Sequence, residues 1–343
     1  MLQIAQIPVE PRVVLAPMEG VTDRAFRTLI RSLGGVGLAV TEFVSSEGLT
    51  REVESAWRMA ELDPDEHPVS IQIYGRDPAR MAQAARHCES LGADIVDINL
   101  GCPSKRVTSG CSGSALMKEP ELARDIFHAV RDAITVPMTV KMRLGWCDAN
   151  LNAPEIAARA EEAGASMVAV HGRTRNQGYK GSARWDEVGA VRRAVSIPLL
   201  VNGDIVDPAT ARAALAASGA DGVMVGRAVM HDPWALRRIA DDVAGVPFRE
   251  PTLEERHAVL QAYLDRVTTE HGGEVDRRTA GKVKQVIAYF TKHLHNCRAL
   301  RHEINRIRTV DDARRLVEAF FRATIAEDRE ATLQLHELVA ARA

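Results

Sequence analysis

Six short apolar runs, opened alternately in two ways, constrain the fold of this chain more than any other feature. Three open on proline: Pro68-Val-Ser-Ile-Gln-Ile-Tyr, Pro137-Met-Thr-Val-Lys-Met-Arg and Pro198-Leu-Leu-Val-Asn-Gly-Asp. Three open on Gly-Ala followed by Asp or Ser: Gly92-Ala-Asp-Ile-Val-Asp-Ile-Asn, Gly164-Ala-Ser-Met-Val-Ala-Val-His and Gly219-Ala-Asp-Gly-Val-Met-Val-Gly. Proline can begin a strand without costing a central ladder bond, and glycine can close a preceding helix in the left-handed conformation. The runs are rich in Val and Ile rather than alternating, as expected of strands covered on both faces. Between them, segments such as 78–91, 120–134 and 153–163 read as amphipathic helices.

With the runs at 13–18 and 38–44, eight strands are predicted, the others near 69–75, 95–101, 138–145, 167–173, 199–205 and 222–228. Eight β/α repeats in about 240 residues fit a closed (β/α)8 TIM barrel. An open doubly wound sheet would want a Gly-x-Gly-x-x-Gly after its first strand, and Ala16-Pro-Met-Glu-Gly is not one. After residue 245 the strand punctuation stops. A linker leads to a helix cap at Thr252 and the rest is helical, which predicts an α/β barrel over 1–245 and a small all-helical C-terminal domain over 251–343.

Five cysteines, an odd number with no Cys-x-x-Cys pair, speak against a disulfide framework or a structural metal. The first residues lack the pattern of a signal peptide, and no run of about 18 apolar residues predicts a membrane span. A cytoplasmic protein without metal or membrane partner is expected, as a monomer.

In a barrel, chemistry gathers at the C-terminal ends of the strands. Here nearly every end is polar: Pro17-Met18-Glu19, Glu42, Gln72, Asn99 with Cys102, Lys141 with Arg143, His171 with Arg173, Asn202-Gly203-Asp204, and Gly226-Arg227. Gly203 and Gly226 follow the last two strands, where backbone amides can approach a phosphate and Arg227 can add its charge. Gln72 and Lys141 suit a flavin: an amide offers donor and acceptor to the ring edge, and an ammonium can stabilise the anionic reduced ring. Cys102, set between Gly101 and Pro103, is expected in a loop, where a thiol can serve as nucleophile or general acid. Without a Cys-His-Asn pattern, proton donation is favoured. Cys111 reads as loop filler, Cys88 and Cys297 as core, and Cys147 has no assigned role. Glu42 reads as a capped strand end, and Asp97 as a structural hydrogen-bond partner.

The net charge of −2 hides one asymmetry. Residues 277–308 hold nine Lys/Arg, among them Arg277, Arg278, Lys282 and Lys284, against a single acid, Glu303. A solvated helix face would interleave acids, so the segment predicts contact with a phosphate backbone. Aromatics make up only 4% of the chain, which favours backbone and shape contact with a folded RNA over base stacking on a platform.

Together Pro17-Met-Glu-Gly-Val-Thr-Asp, Asn99-Leu-Gly-Cys-Pro-Ser-Lys, Val140-Lys-Met-Arg-Leu-Gly-Trp, Val170-His-Gly-Arg-Thr-Arg-Asn-Gln-Gly-Tyr, Val201-Asn-Gly-Asp-Ile and Val225-Gly-Arg resemble the bacterial tRNA-dihydrouridine synthases, nearest the DusB-like branch. The resemblance runs from about residue 10 to 325. It implies FMN held by Pro17, Met18, Glu19, Gln72, Lys141, Asn202, Gly203, Asp204, Gly226 and Arg227, with His171 close by. It implies Cys102 as the acid protonating one carbon of the uracil double bond while reduced flavin delivers hydride to the other, with NADPH as reductant. Asn99, Arg143 and Tyr179 would touch a uridine flipped out of the tRNA stack. Two departures stand out: Glu19 replaces a residue that is often small, and the usual Arg-Lys-His before Trp-Tyr reads Val283-Lys-Gln-Val-Ile-Ala-Tyr-Phe. Two rivals are an FMN barrel acting on a free pyrimidine or enoate, which leaves the basic segment unexplained, and a non-catalytic RNA-binding protein, which leaves the strand ends unexplained.

Overall fold

The computed structural model describes residues 2–270 and 277–340, without the side chains of 277, 278, 329 and 331–340. Among the described residues ten strands are present: β1 (Leu2–Ile4), β2 (Ile7–Val9), β3 (Val13–Leu15), β4 (Leu38–Ser45), β5 (Val69–Tyr74), β6 (Ile95–Leu100), β7 (Met138–Arg143), β8 (Met167–His171), β9 (Leu199–Asn202) and β10 (Gly222–Val225). Strands β3 to β10 pair in parallel, in chain order, and β10 returns to β3 to close an eight-stranded barrel. The predicted TIM barrel is therefore the fold. Most predicted strands run one to three residues too long, because the polar residues at their tips have already left the ladder.

The two kinds of strand opening prove to be halves of one device. Gly92, Gly164 and Gly219 have φ of +92°, +88° and +64°, the left-handed conformation that ends each preceding helix. Pro68 and Pro198 stand just before β5 and β9, and the next residues' amides would lie at the bottom of the barrel. Asp94 and Asp221, from the neighbouring Gly-Ala-Asp openings, accept them: Val69 N–H donates to Asp94 at 2.7 Å and Leu199 N–H to Asp221 at 2.8 Å. A second repeated contact lies one turn earlier. Glu89 accepts the amides of Thr135 and Val136 at 2.8 and 3.1 Å, and Glu161 those of Ser196 and Ile197 at 2.9 and 3.1 Å. Each glutamate thus fixes the turn that leads into a proline-opened strand.

Hairpin β1–β2 was not foreseen. Its Leu2, Ile4 and Val9 join Val14, Leu38, Val40, Ile95, Met167, Ala169, Leu200 and Met224 in one apolar cluster. Because side chains alternate along a strand, these barrel residues share a face. Counting on by twos from them reaches Asp97 and Asn99 on β6, His171 on β8, Asn202 on β9 and Gly226 beyond β10. The polar tips are the continuation of the barrel's inward face, with apolar side chains behind them.

Contacts divide the chain into two compact units, Met1–Val229 with Trp234–Phe248, and Met230–Pro233 with Arg249–Ala343. The second unit has helices Leu253–Glu270, Arg277–Phe290, Cys297–Ile304 and Val310–Ala340. A reciprocal cap opens the first: Glu255 N–H donates to the Thr252 hydroxyl at 3.2 Å and Thr252 N–H to the Glu255 carboxylate at 2.8 Å. Val283, Val286, Ile287 and Phe290, at helical spacing, are buried with Leu260, Leu264, Val317 and Phe321.

Candidate active site

A hydrogen-bond chain crosses strands β5 to β7 and ends at the backbone amide of Cys102. Thr139 Oγ1 donates to Asp97 at 2.5 Å, Gln72 Nε2 to the other Asp97 oxygen at 2.6 Å, and Asn99 Nδ2 to Gln72 Oε1 at 2.7 Å. Asn99 Oδ1 then accepts the amides of Gly101 and Cys102, both at 2.9 Å. The Asn99 carboxamide shapes the Cys102 loop more than it faces outward. Asp97 has the structural role expected of it, and burial pushes its pKa up to about 6 against the pull of Gln72, Thr139 and Lys141.

Cys102 lies in a loop, as expected, but only 8% of it is exposed, packed with Phe43, Val107 and Tyr74. Its carbonyl accepts the Ser114 hydroxyl at 2.8 Å. Burial raises the thiol pKa, with Ser104 opposing and the charge of Glu19 adding to the rise. The sulfur therefore keeps its proton at neutral pH, the state an acid needs. Glu19 itself is ion-paired with Arg106, and Gly20 N–H donates to the buried Glu42 carboxylate. Met18, half-buried, holds its loop through Thr22, whose hydroxyl accepts the Met18 amide at 3.0 Å.

Across the mouth, Lys141 Nζ donates to Asn202 Oδ1 at 3.2 Å, and Asn202 Nδ2 to Met224 O at 2.7 Å. Burial, followed by the nearby Arg143, lowers the Lys141 pKa to about 8. Arg143 is buried and ties the loops after β6 and β8 to the end of β7, donating to Gly101 O at 2.8 Å, Thr174 O at 2.9 Å and Gly178 O at 2.8 Å. Its pKa falls to about 10 through burial. Tyr179 is 57% exposed. The Arg227 guanidinium lies 4.5 Å from its ring centroid, that of Arg143 5.6 Å, and the His171 ring 6.3 Å.

Arg173, noted only as a polar strand end, is a hub that the sequence left unassigned. It is buried and clasps Asp204 through two hydrogen bonds, of 2.9 and 2.6 Å, while Arg227 approaches the same carboxylate at 3.3 Å. Burial alone would raise the Asp204 pKa, but Arg173, the Ala183 amide and the charge of Arg227 outweigh it and hold the group ionised. The Asp204 carboxylate is thus committed to cations, and the residue sits at φ +55°.

Gly203 and Gly226 differ in why they are glycine. Gly203 has φ +108°, and a Cβ there would meet His171 Cδ2 at 2.6 Å. At Gly226 a Cβ would make only ordinary contacts, 3.6 Å from Ala16 and Met18. Neither a positive φ nor a close neighbour within the chain requires glycine at 226, which leaves its backbone able to accept a close approach by a ligand. Four cations, Lys141, Arg143, Arg173 and Arg227, gather here around the carboxylates of Asp204 and the buried Asp97, an excess of positive charge that favours an anion.

Lys282 and Lys284 belong to the second unit, where Lys284 Nζ donates to Asn305 O at 3.1 Å. Arg298 and Arg301 are exposed and have no acidic partner among the described residues. The side chains of Arg277 and Arg278 lie outside the described residues. Cys88 is core as expected, whereas Cys297 is only half-buried at a helix start. Among the described residues no His/Cys/Asp/Glu group could hold a metal, and no helix is long and apolar enough to cross a membrane.

A closed eight-stranded parallel barrel whose strand tips gather Lys141, Arg143, Arg173 and Arg227 near Cys102 defines the class of (β/α)8 barrel proteins. The comparisons narrow this class. The profile of the family described as Dihydrouridine synthase (Dus) matches residues 14–325, and the chain belongs to that family. It is 45% identical over 284 residues to a "Probable tRNA-dihydrouridine synthase" of Rhodobacter capsulatus, covering 82% of this chain and 87% of the relative. It is 43% identical over 284 residues to "tRNA-dihydrouridine synthase B" of Pseudomonas putida (82% and 83%), and 39% over 307 residues to a "Probable tRNA-dihydrouridine synthase" of Rickettsia conorii (89% and 92%).

Proposed function

We propose that this protein is an FMN-dependent tRNA-dihydrouridine synthase that reduces chosen uridines of tRNA to 5,6-dihydrouridine with NADPH, acting in the cytoplasm. The relatives' names support the reaction class. The observation that carries the chemistry is Cys102, a thiol held protonated by burial at the rim of a mouth lined with cations. Saturating the uracil double bond takes a hydride and a proton, and bound flavin would supply the hydride, with NADPH as the source of its electrons.

The residues present fit that group. Gly203, Gly226 and Arg227 would hold the phosphate, with Asp204 keeping Arg227 in place. Gln72, Lys141 and His171, flanked by Pro17, Met18, Glu19 and Asn202, would hold the ring. Lys141, with a pKa near 8, can carry charge toward an anionic ring or give it up at little cost. Cys102 holds the proton at Sγ. Arg143 and Asn99 fix the loops from which Cys102 and Tyr179 reach a flipped base, and Tyr179 offers it an exposed face. In this reading the barrel, 1–245, is the catalytic domain. The helical region, 251–343, binds tRNA through the segment that includes Arg277, Arg278, Lys282 and Lys284.

The test has two parts. The purified protein should be yellow with bound FMN, and tRNA from cells lacking it should lose dihydrouridine at defined positions. A colourless protein unable to take up FMN would end the reading. A flavoprotein whose loss leaves every tRNA dihydrouridine in place would point instead to a free pyrimidine or enoate substrate.

A further inference from the structure

His171 and Arg173 flank Gly172, where a side chain would be crowded by the backbone of Arg184. A Cβ on Gly172 would lie 3.0 Å from both the amide nitrogen and the carbonyl oxygen of Arg184. That strand-like crossing is fixed by Arg184 N–H donating to Gly172 O and Gly172 N–H donating to Asn202 O at 3.0 Å. The Arg173 amide turns back to donate to His171 O at 2.7 Å, so the two side chains leave a tight turn beside each other. Arg173 Nη1 then lies 3.3 Å from His171 Nε2. Its other hydrogen bonds, to Asp204, Lys180 O at 3.2 Å and Gly181 O at 2.6 Å, leave the guanidinium little freedom to turn away.

A guanidinium has only donors. A ring nitrogen that meets it can make a hydrogen bond only by offering a lone pair. We propose that Arg173 is a positioning residue that holds His171 as the neutral tautomer with its proton on Nδ1, so that the ring presents an Nδ1–H donor to the ligand in the barrel mouth. The rest of the surroundings agree. Gly203 packs against the Cδ2–Nε2 edge of the ring, which leaves Nδ1 on the other edge, where no described residue accepts its hydrogen bond. The charged groups acting on the ring are Arg143 and Lys141 from β7, Arg173 from the loop after β8 and Arg227 beyond β10, all positive, with Asp204 clasped by Arg173. Burial and these cations keep the imidazole well below its usual pKa, with the Tyr179 ring as an uncharged neighbour. His171 is therefore a fixed hydrogen-bond donor and not a proton shuttle, which leaves proton delivery to Cys102.

The functional consequence rests on the proposed reductase reading, but the tautomer does not. Nitrogen NMR of the full chain labelled in histidine reads it directly, with and without added FMN. His171 should show a protonated Nδ1 and a lone-pair Nε2, unchanged across roughly pH 5 to 8, where an ordinary histidine titrates. Arg173→Lys keeps a cation for Asp204 but loses the planar fork; the Nδ1–H signal should weaken and an Nε2–H population appear. Arg173→Met should in addition bring a His171 titration into that window. If Arg173→Met does not fold, the wild-type spectrum and Arg173→Lys still decide. A wild-type His171 that is charged at neutral pH, or protonated on Nε2, overturns the proposal, as does a tautomer that ignores both substitutions. A correct tautomer in a protein that makes no dihydrouridine would instead sink the functional reading and leave this one standing.

Discussion

Cys102 and Gly203 show how much a single position can be asked to do. Cys102→Ala should leave FMN bound and NADPH oxidation intact while tRNA reduction falls by about 10²–10⁴-fold, the usual weight of one acid. Stopped-flow traces of flavin reduction and of its reoxidation by tRNA separate the two half-reactions, and a Cys102→Ala protein that reduces tRNA at the wild-type rate would remove the acid role. Gly203→Ala meets two obstacles at once, a left-handed backbone and a Cβ 2.6 Å from His171. It should cost about 1–3 kcal/mol in denaturant unfolding, with weaker FMN uptake as His171 is displaced. The strand-end rule of barrels made most of the proposed site legible from sequence, because polar residues at the ends of apolar strands have few other reasons to be there. Arg173 was not legible as a hub. Asp204 reaches it only when β8 and β9 pair, and Lys180 and Gly181 only when the loop after β8 folds back, and sequence spacing carries no sign of either. Asn99 likewise looked like a ligand contact, yet its carboxamide mainly caps the Cys102 loop, a role that depends on the chain doubling back within three residues.

At the scale of elements, the repeated glutamates make an acid-stability prediction. Hydrogen bonds from Thr135 hold Glu89 below the ordinary carboxylate range. At Glu161 burial pushes upward, but the Ser196 hydroxyl and the amides of Ser196 and Ile197 win. A group whose pKa is depressed in the folded state contributes stability that is present above its unfolded value, about 4.3, and lost as pH falls through the folded one. Replacing both glutamates with glutamine should therefore lower the midpoint of thermal unfolding near pH 7 and shrink the difference from wild type below about pH 4, where both proteins lack the charge. A constant difference across that range would assign the loss to packing instead. Strand identity was legible because glycine and proline punctuate each repeat. The hairpin at the start was not: six residues split by Ala5-Gln6 are too short to show a period, and what makes them strands is the open barrel end they cover.

For the molecule as a whole, charge is divided unevenly, and the division should show in binding. Glu substitutions at Lys282, Lys284, Arg298 and Arg301 should weaken tRNA affinity in filter binding and reduce the slope of log Kd against log salt by roughly 0.7–0.9 for each phosphate left without its cation. On the proposed reading, in which the barrel holds the flavin, its reduction by NADPH should stay at the wild-type rate. An unchanged slope would remove these four cations from the RNA interface. A count of charges along the sequence was enough to find the segment; which of its cations are free was not, since Lys284 turns out to be bonded to Asn305 while Arg298 and Arg301 stay open. The hairpin that seals the barrel's other end has its own consequence. With Leu2, Ile4 and Val9 seated there, the interior is a cup and not a tunnel, so solvent can reach inward-facing groups such as Asp97 only by way of the strand tips. Whatever fills those tips also stoppers the cup, and hydrogen exchange along the upper halves of the strands should slow when it does, while the lower halves stay as protected as before.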